Sequence, residues 1–167
     1  MIKLINGRGQ LGKKLKYLES TKTNEEVYVY HTWNIDDKNK LAQEEEYKKF
    51  VKFVNLHKDD KIVFISTSST KDNWYNFYKH KSESYLVLNT ASGIVIRLPT
   101  LIGKGMFDKL KNDQVRPIGK FNLTTIEKAV EFIRAHAFKN SIVRIYTLPS
   151  EQVSASVVYS LIKLGLK

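Results

Sequence analysis

Two uninterrupted apolar runs limit what this chain can fold into: "KIVFIS" at 61–66 and "GIVIRLP" at 93–99. A strand with one wet face alternates apolar and polar side chains. A strand without that alternation needs cover on both faces, as in a parallel sheet with helices packed above and below. Pro99 stops the second run, because it has no N–H for the ladder. The rest of the chain keeps a matching alternation. Residues 2–6 read as a short strand, and residues 10–19 carry Leu11, Leu15 and Leu18 at helical spacing. "VYVY" at 27–30 is a strand rich in β-branched and aromatic residues. Residues 41–57 place Leu41, Tyr47, Phe50, Val51, Val54 and Leu56 on one side of a helix. A helix over 73–90, a short one over 106–112 and a strand at 141–148 follow. Between the last two, Thr124 stands three residues before Glu127, a capping-box signature for a helix carrying Ile126, Ala129, Val130 and Ile133. A final helix starts near Ser154, carries Val157, Val158, Leu161 and Ile162, and ends at Gly165.

Between the first strand and first helix lies "NGRGQLGKKL", in which Gly7, Gly9 and Gly12 satisfy G-x-G-x-x-G. That pattern has meaning only after a strand and before a helix, and both are predicted here. Gly7 permits the sharp turn, Gly9 lets the backbone approach a pyrophosphate, and Gly12 allows close helix–strand packing. Arg8, Gln10 and Leu11 complete the turn. The fold expected is therefore α/β: a compact, Rossmann-type doubly wound parallel sheet flanked by helices, one domain over residues 1–167.

Composition excludes several kinds of chemistry. With no cysteine there is no disulfide, thiol nucleophile or thiolate-bound metal, and His31, His57, His80 and His136 lack ligand spacing, so no metal is expected. The net charge of +11 raises nucleic-acid binding, but the lysines are spread along the chain and no nucleic-acid motif accompanies them. No run approaches the roughly 20 apolar residues of a membrane span, and no leader pattern opens the chain. The expectation is a cytoplasmic protein.

A second constellation follows the first buried run. "VFISTSST" ends in Ser66, Thr67 and Ser68, Tyr75 precedes Lys79 by one helical turn, and "VIRLPTLIGKG" comes next. With the glycine turn and its "GQLG", this series resembles the extended short-chain dehydrogenase/reductase family, in its nucleotide-sugar epimerase, dehydratase and reductase branch. The resemblance implies NAD(P) as cofactor, a nucleotide sugar or similar small molecule as substrate, and a homodimer packed through the helix at 73–90. It implies that Tyr75 exchanges a proton with the substrate, that Lys79 favours the phenolate and binds the nicotinamide ribose, and that Ser68, or else Thr67, holds the substrate oxygen. It also places Ser66, Arg97, Pro99 and Thr100 along the nicotinamide side. Tyr75 stands in an aromatic-rich helix, with Trp74, Phe77, Tyr78 and Tyr85, so packing is its competing role.

Two departures stand out. Only residues 13–60 separate the glycine turn from the serine-rich strand, room for one strand and one helix, so a strand–helix unit is missing, and the substrate-binding insertions shrink to residues 103–122. The pocket is then incomplete or completed by a second subunit. At the end of the second strand, where an acid accepts the ribose hydroxyls of NAD, stands His31, and Arg8 is a cation suited to a 2′-phosphate. Together they favour NADP over NAD, unless Asp36 or Asp37 reaches that position. The alternative to an enzyme is a non-catalytic relative that binds a dinucleotide or a protein partner.

Overall fold

The computed structural model describes residues 2–5, 9–15, 26–102, 109–113, 118–140 and 144–164. Its strands are β1 (Ile2–Ile5), β2 (Val27–Tyr30), β3 (Lys61–Thr67), β4 (Ile94–Leu98), β5 (Thr100–Ile102), β6 (Lys120–Thr125), β7 (Ile145–Thr147) and β8 (Glu151–Ser154). Its helices are α1 (Gln10–Leu15), α2 (Lys40–Leu56), α3 (Trp74–Asn89), α4 (Ile126–Ala137) and α5 (Ala155–Lys163). Gly7, Arg8, Leu18, Gly165 and most of the short helix expected at 106–112 lie outside the described residues.

The main sheet runs β1-β2-β3-β4-β7, parallel at every pairing. Its two apolar runs are buried throughout except at Thr67 and Arg97, as their lack of alternation demands. Period two sends alternate residues to opposite layers. Val27, Val29, Val63, Ile65, Ile94 and Ile96 pack with Leu11 and Leu15 of α1 and with Ile126, Ala129 and Ile133 of α4. Tyr30, Ile62, Phe64 and Val95 pack on the other face with Phe50 and Val54 of α2 and with Tyr78 and Leu86 of α3. The sheet is thus wound on both faces. Lys14 of α1 pairs with Glu127 of α4 across the first layer.

Local chemistry sets the helix starts. Asn39 caps α2 by accepting from the Ala42 N–H at 2.8 Å, and Asn73 caps α3 by accepting from the Asn76 N–H at 2.9 Å. The cap of α4 is Thr125, which accepts from Lys128 N–H, where the sequence suggests Thr124. Thr124, one residue earlier, is buried and paired in register with Leu101. The side chain of Ser154 makes no cap bond to α5.

A second, three-stranded sheet, β5-β6-β8, was not anticipated. β6 pairs parallel with β5 and antiparallel with β8, so the substrate region expected to be reduced to residues 103–122 includes a folded sheet edge. On α2 the expected apolar side also shifts: Leu41 and Leu56 are exposed, while Gln43 points inward. Among the described residues no helix is long and apolar enough to cross a membrane, and no group of acidic or histidine side chains is placed to hold a metal.

Candidate functional site

Open α/β sheets bind ligands beyond the carboxyl ends of their strands, where neighbouring connections leave to opposite faces. In this chain that place is the junction of β1 and β2, because α1 packs on one face and α2 on the other. Gly9 opens α1 there, exposed, and a Cβ built on it would meet nothing within 4 Å. Gln10 is exposed beside it, whereas Leu11 and Gly12 are buried against the sheet. Thr32, just past β2, donates its hydroxyl to the Ile5 carbonyl at 2.6 Å and so ties the two strand ends together.

Lys79 is the centre of the cluster. It is only 3% exposed, and its Nζ donates to the Ile65 carbonyl at 2.7 Å. The ammonium also lies 4.6 Å from the ring centres of Trp33 and Phe64 and 5.9 Å from that of Tyr75. Burial brings the Lys79 pKa down to about 7, against the opposing pull of Glu83 and Glu46. Tyr75 is pushed up to about 12 by burial alone. The sequence pattern anticipates a phenolate favoured by the lysine; here exclusion of water outweighs the cation, and the phenol is held protonated.

Two buried polar atoms beside this lysine have no hydrogen-bond partner: Ser66 Oγ and His31 Nε2. Buried hydroxyls and imidazoles are nearly always paired, so these two are groups with bonding capacity held in reserve. Burial first, and then the Lys79 charge, hold His31 below its usual range, so it is neutral near pH 7. Thr67 Oγ1 accepts from Ser69 N–H, and Ser68 anchors its backbone on the Leu98 carbonyl at 2.9 Å with its side chain half-buried. Pro99 is buried and Thr100 exposed at the start of β5. Arg97 turns toward α3, away from the strand end. Its Nη2 donates to Glu83 at 2.6 Å, and His80 meets the same carboxylate at 3.2 Å.

Sequence reasoning overlooked three supports. Gln43, fully buried, accepts from Trp33 Nε1 at 2.7 Å and donates to the carbonyls of Asn34 and Asp37, which locks the loop after β2. Asn76 donates to Ser69 Oγ and to the Lys71 carbonyl, which holds the loop after β3. Glu83, one turn beyond Lys79, joins α3 to β4 through Arg97. A polar residue at an inward helical position was the available signal in each case. Two surface depressions lie elsewhere, along α2 at Tyr47 and Asn55 and at the opposite sheet end around Lys61 and Gly93. Neither includes Tyr75, Lys79 or His31.

In the doubly wound order 3-2-1-4-5-6 the second strand flanks the first on the side away from the fourth. Here β2 stands between β1 and β3, so His31 at its end lies on the β3 side of β1. Asp36 and Asp37 stand in the turn that leads into α2, where Asp37 Oδ1 accepts from Asn39 N–H.

The fold is that of a parallel α/β sheet covered by helices on both faces. Solved structures with this fold include a dTDP-4-dehydrorhamnose reductase from Bacillus anthracis in complex with NADP, 13% identical with a TM-score of 0.77 over 99% of this chain and 81% of that one. A dTDP-glucose 4,6-dehydratase from the same organism in complex with NAD matches at 11% identity and TM-score 0.70, again over 99% and 81% of the two chains. UDP-glucose 4-epimerase from Thermotoga maritima, with UDP-glucose, matches at 12% and 0.67, over 98% and 81%. No protein-family model and no curated protein sequence matches the chain.

Proposed function

We propose that the chain is a shortened relative of the extended short-chain dehydrogenases/reductases that binds a nicotinamide dinucleotide at the carboxyl ends of β1, β2 and β3. It acts there as a reductase, epimerase or dehydratase on a nucleotide sugar or a similar carbonyl or alcohol. The observation that carries this reading is the buried Lys79, one turn after Tyr75, beside the two unpaired polar atoms of Ser66 and His31. Those atoms suit the ribose and amide of a nicotinamide nucleotide, which would supply or accept hydride at the substrate carbon. Gly9, Gln10, Leu11 and Gly12, with Gly7 and Arg8 before them, would take the phosphates, and Thr67, Pro99 and Thr100 would border the nicotinamide. Ser68 would hold the substrate oxygen.

A phenol held protonated is suited to give a proton, so Tyr75 acts as general acid toward a developing alkoxide. Reduction of a carbonyl is the direction that uses it. Lys79, poised near 7, is able to return a proton to the phenolate that Tyr75 becomes after giving its own, once the lysine's bond to the Ile65 carbonyl is exchanged for a ribose hydroxyl. The exposed Trp74, Phe77 and Leu88 on α3 favour a homodimer, which sedimentation equilibrium tests directly.

Calorimetric titration and thermal stabilisation with NAD(H) and NADP(H) test the binding claim. A shift of several degrees with one pair is the expected result, and no heat and no shift with either removes the claim. Tyr75→Phe should then abolish turnover with the nucleotide affinity nearly unchanged. Turnover equal to that of the parent protein would remove Tyr75 from the chemistry and favour the non-catalytic reading.

A further inference from the structure

Among the described residues the main sheet ends at β1, which pairs with β2 alone, and β2 carries the sheet on to β3 and β4. In the doubly wound order a further strand lies on the other side of the first, and its acidic end holds the adenine ribose. Chain length leaves no place for it between α1 and β2. Residues 16–26 would have to supply both that strand and a return crossover, and a parallel crossover by itself takes about a dozen residues or more. The missing strand–helix unit is therefore the adenine-binding one.

The distribution of unpaired polar atoms agrees independently. His31 Nε2 and Ser66 Oγ both lie on the β2–β3 side of the junction, together with Lys79 and Tyr75. On that same side Asp36 and Asp37 are committed to the turn before α2. Both unpaired polar atoms found among the described residues thus lie on the β3 side of β1.

Building on the nucleotide-binding reading above, we propose that this is a half-site: it recognises the nicotinamide ribonucleotide and its phosphate and makes no adenine-dependent contact, so reduced nicotinamide mononucleotide binds as well as NADH or NADPH. The ligand class is a nicotinamide mononucleotide, alone or as one end of a dinucleotide whose adenosine stays in solvent. On this proposal the NADP preference expected from His31 and Arg8 gives no difference between NADH and NADPH.

Competition titrations of the full chain with reduced nicotinamide mononucleotide, NADH, NADPH and 5′-AMP decide the matter. They are run at about 0.3 M salt, so that the net charge of +11 does not itself favour the more anionic ligands. The expected result is three nicotinamide ligands within about threefold of one another and no competition by 5′-AMP. Ser66→Ala should weaken all three by a common factor. Binding of NADH or NADPH tighter than the mononucleotide by about tenfold or more, or displacement by 5′-AMP, overturns the half-site while leaving the nucleotide-binding reading intact. Absence of binding by all four overturns both.

Discussion

Lys79 and Tyr75 illustrate how a residue's chemistry depends on what surrounds it. The Tyr-x-x-x-Lys spacing is visible in the sequence, but the pair's protonation is decided by burial, which takes Lys79 down to about 7 and Tyr75 up to about 12. The consequence for stability has a definite sign. Between about 7 and the ordinary lysine value the unfolded chain holds a proton on Lys79 that the native chain lacks, so stability rises with pH across that window. Above about 10 the tyrosines reverse it, because Tyr30 and Tyr75 stay protonated to about 12 in the fold but ionise when unfolded. Denaturant melts of the parent and of Lys79→Met should differ most below pH 7, where the parent alone carries a buried charge. Parallel profiles would mean that Lys79 does not titrate in the fold. Glu83 is also buried, 3% exposed at its side chain, against an Arg97 that is 34% exposed. Glu83→Gln should cost about 2–3 kcal/mol in urea unfolding, less than a fully enclosed pair because solvent reaches Arg97.

Elements are connected by a few polar groups that no periodicity reveals. Arg144, just before β7, donates to the carbonyls of Gly93, Val87 and Thr90, which closes the end of α3 onto the sheet. Gly93 makes that closure possible: a Cβ there would sit 2.3 Å from Thr90 Oγ1 and 2.7 Å from Leu86 Cγ. Gly93→Ala should destabilise by about 1–3 kcal/mol, and a melting temperature equal to the parent's would show that Thr90 and Leu86 can move aside. The cap of α3 matters to the site, since its first turn carries Tyr75. Asn73→Ala should cost about 1 kcal/mol and weaken nucleotide binding, whereas Asn39→Ala on α2 should cost a similar amount with smaller effect on binding. Equal loss of binding in both variants would separate the effect from the position of Tyr75.

The order β1-β2-β3-β4-β7 has a consequence for the whole molecule. Steps β1 to β2 and β2 to β3 advance the same way across the sheet, yet α1 and α2 lie on opposite faces. Two such crossovers have opposite hands, although nearly all parallel crossovers are right-handed. The half-site proposed above would account for this, because α1 would keep the face from which it led to an adenine-side strand. The parting of α1 and α2 to opposite faces leaves a junction at the carboxyl ends of β1 and β2.

Much of this was legible in the residues. The apolar runs required a parallel sheet covered twice, and the leucine and isoleucine spacing placed α1 and α4. These are local patterns, and they act through nearest neighbours. Tertiary structure alone decided that β2 would stand between β1 and β3, where His31 stood, that Arg97 would pair with Glu83, and that β5, β6 and β8 would form a second sheet. Each of those depends on contacts between segments far apart in the chain. Strand order and burial follow from which distant surfaces exclude water together, and a pattern read along the chain carries no record of that choice.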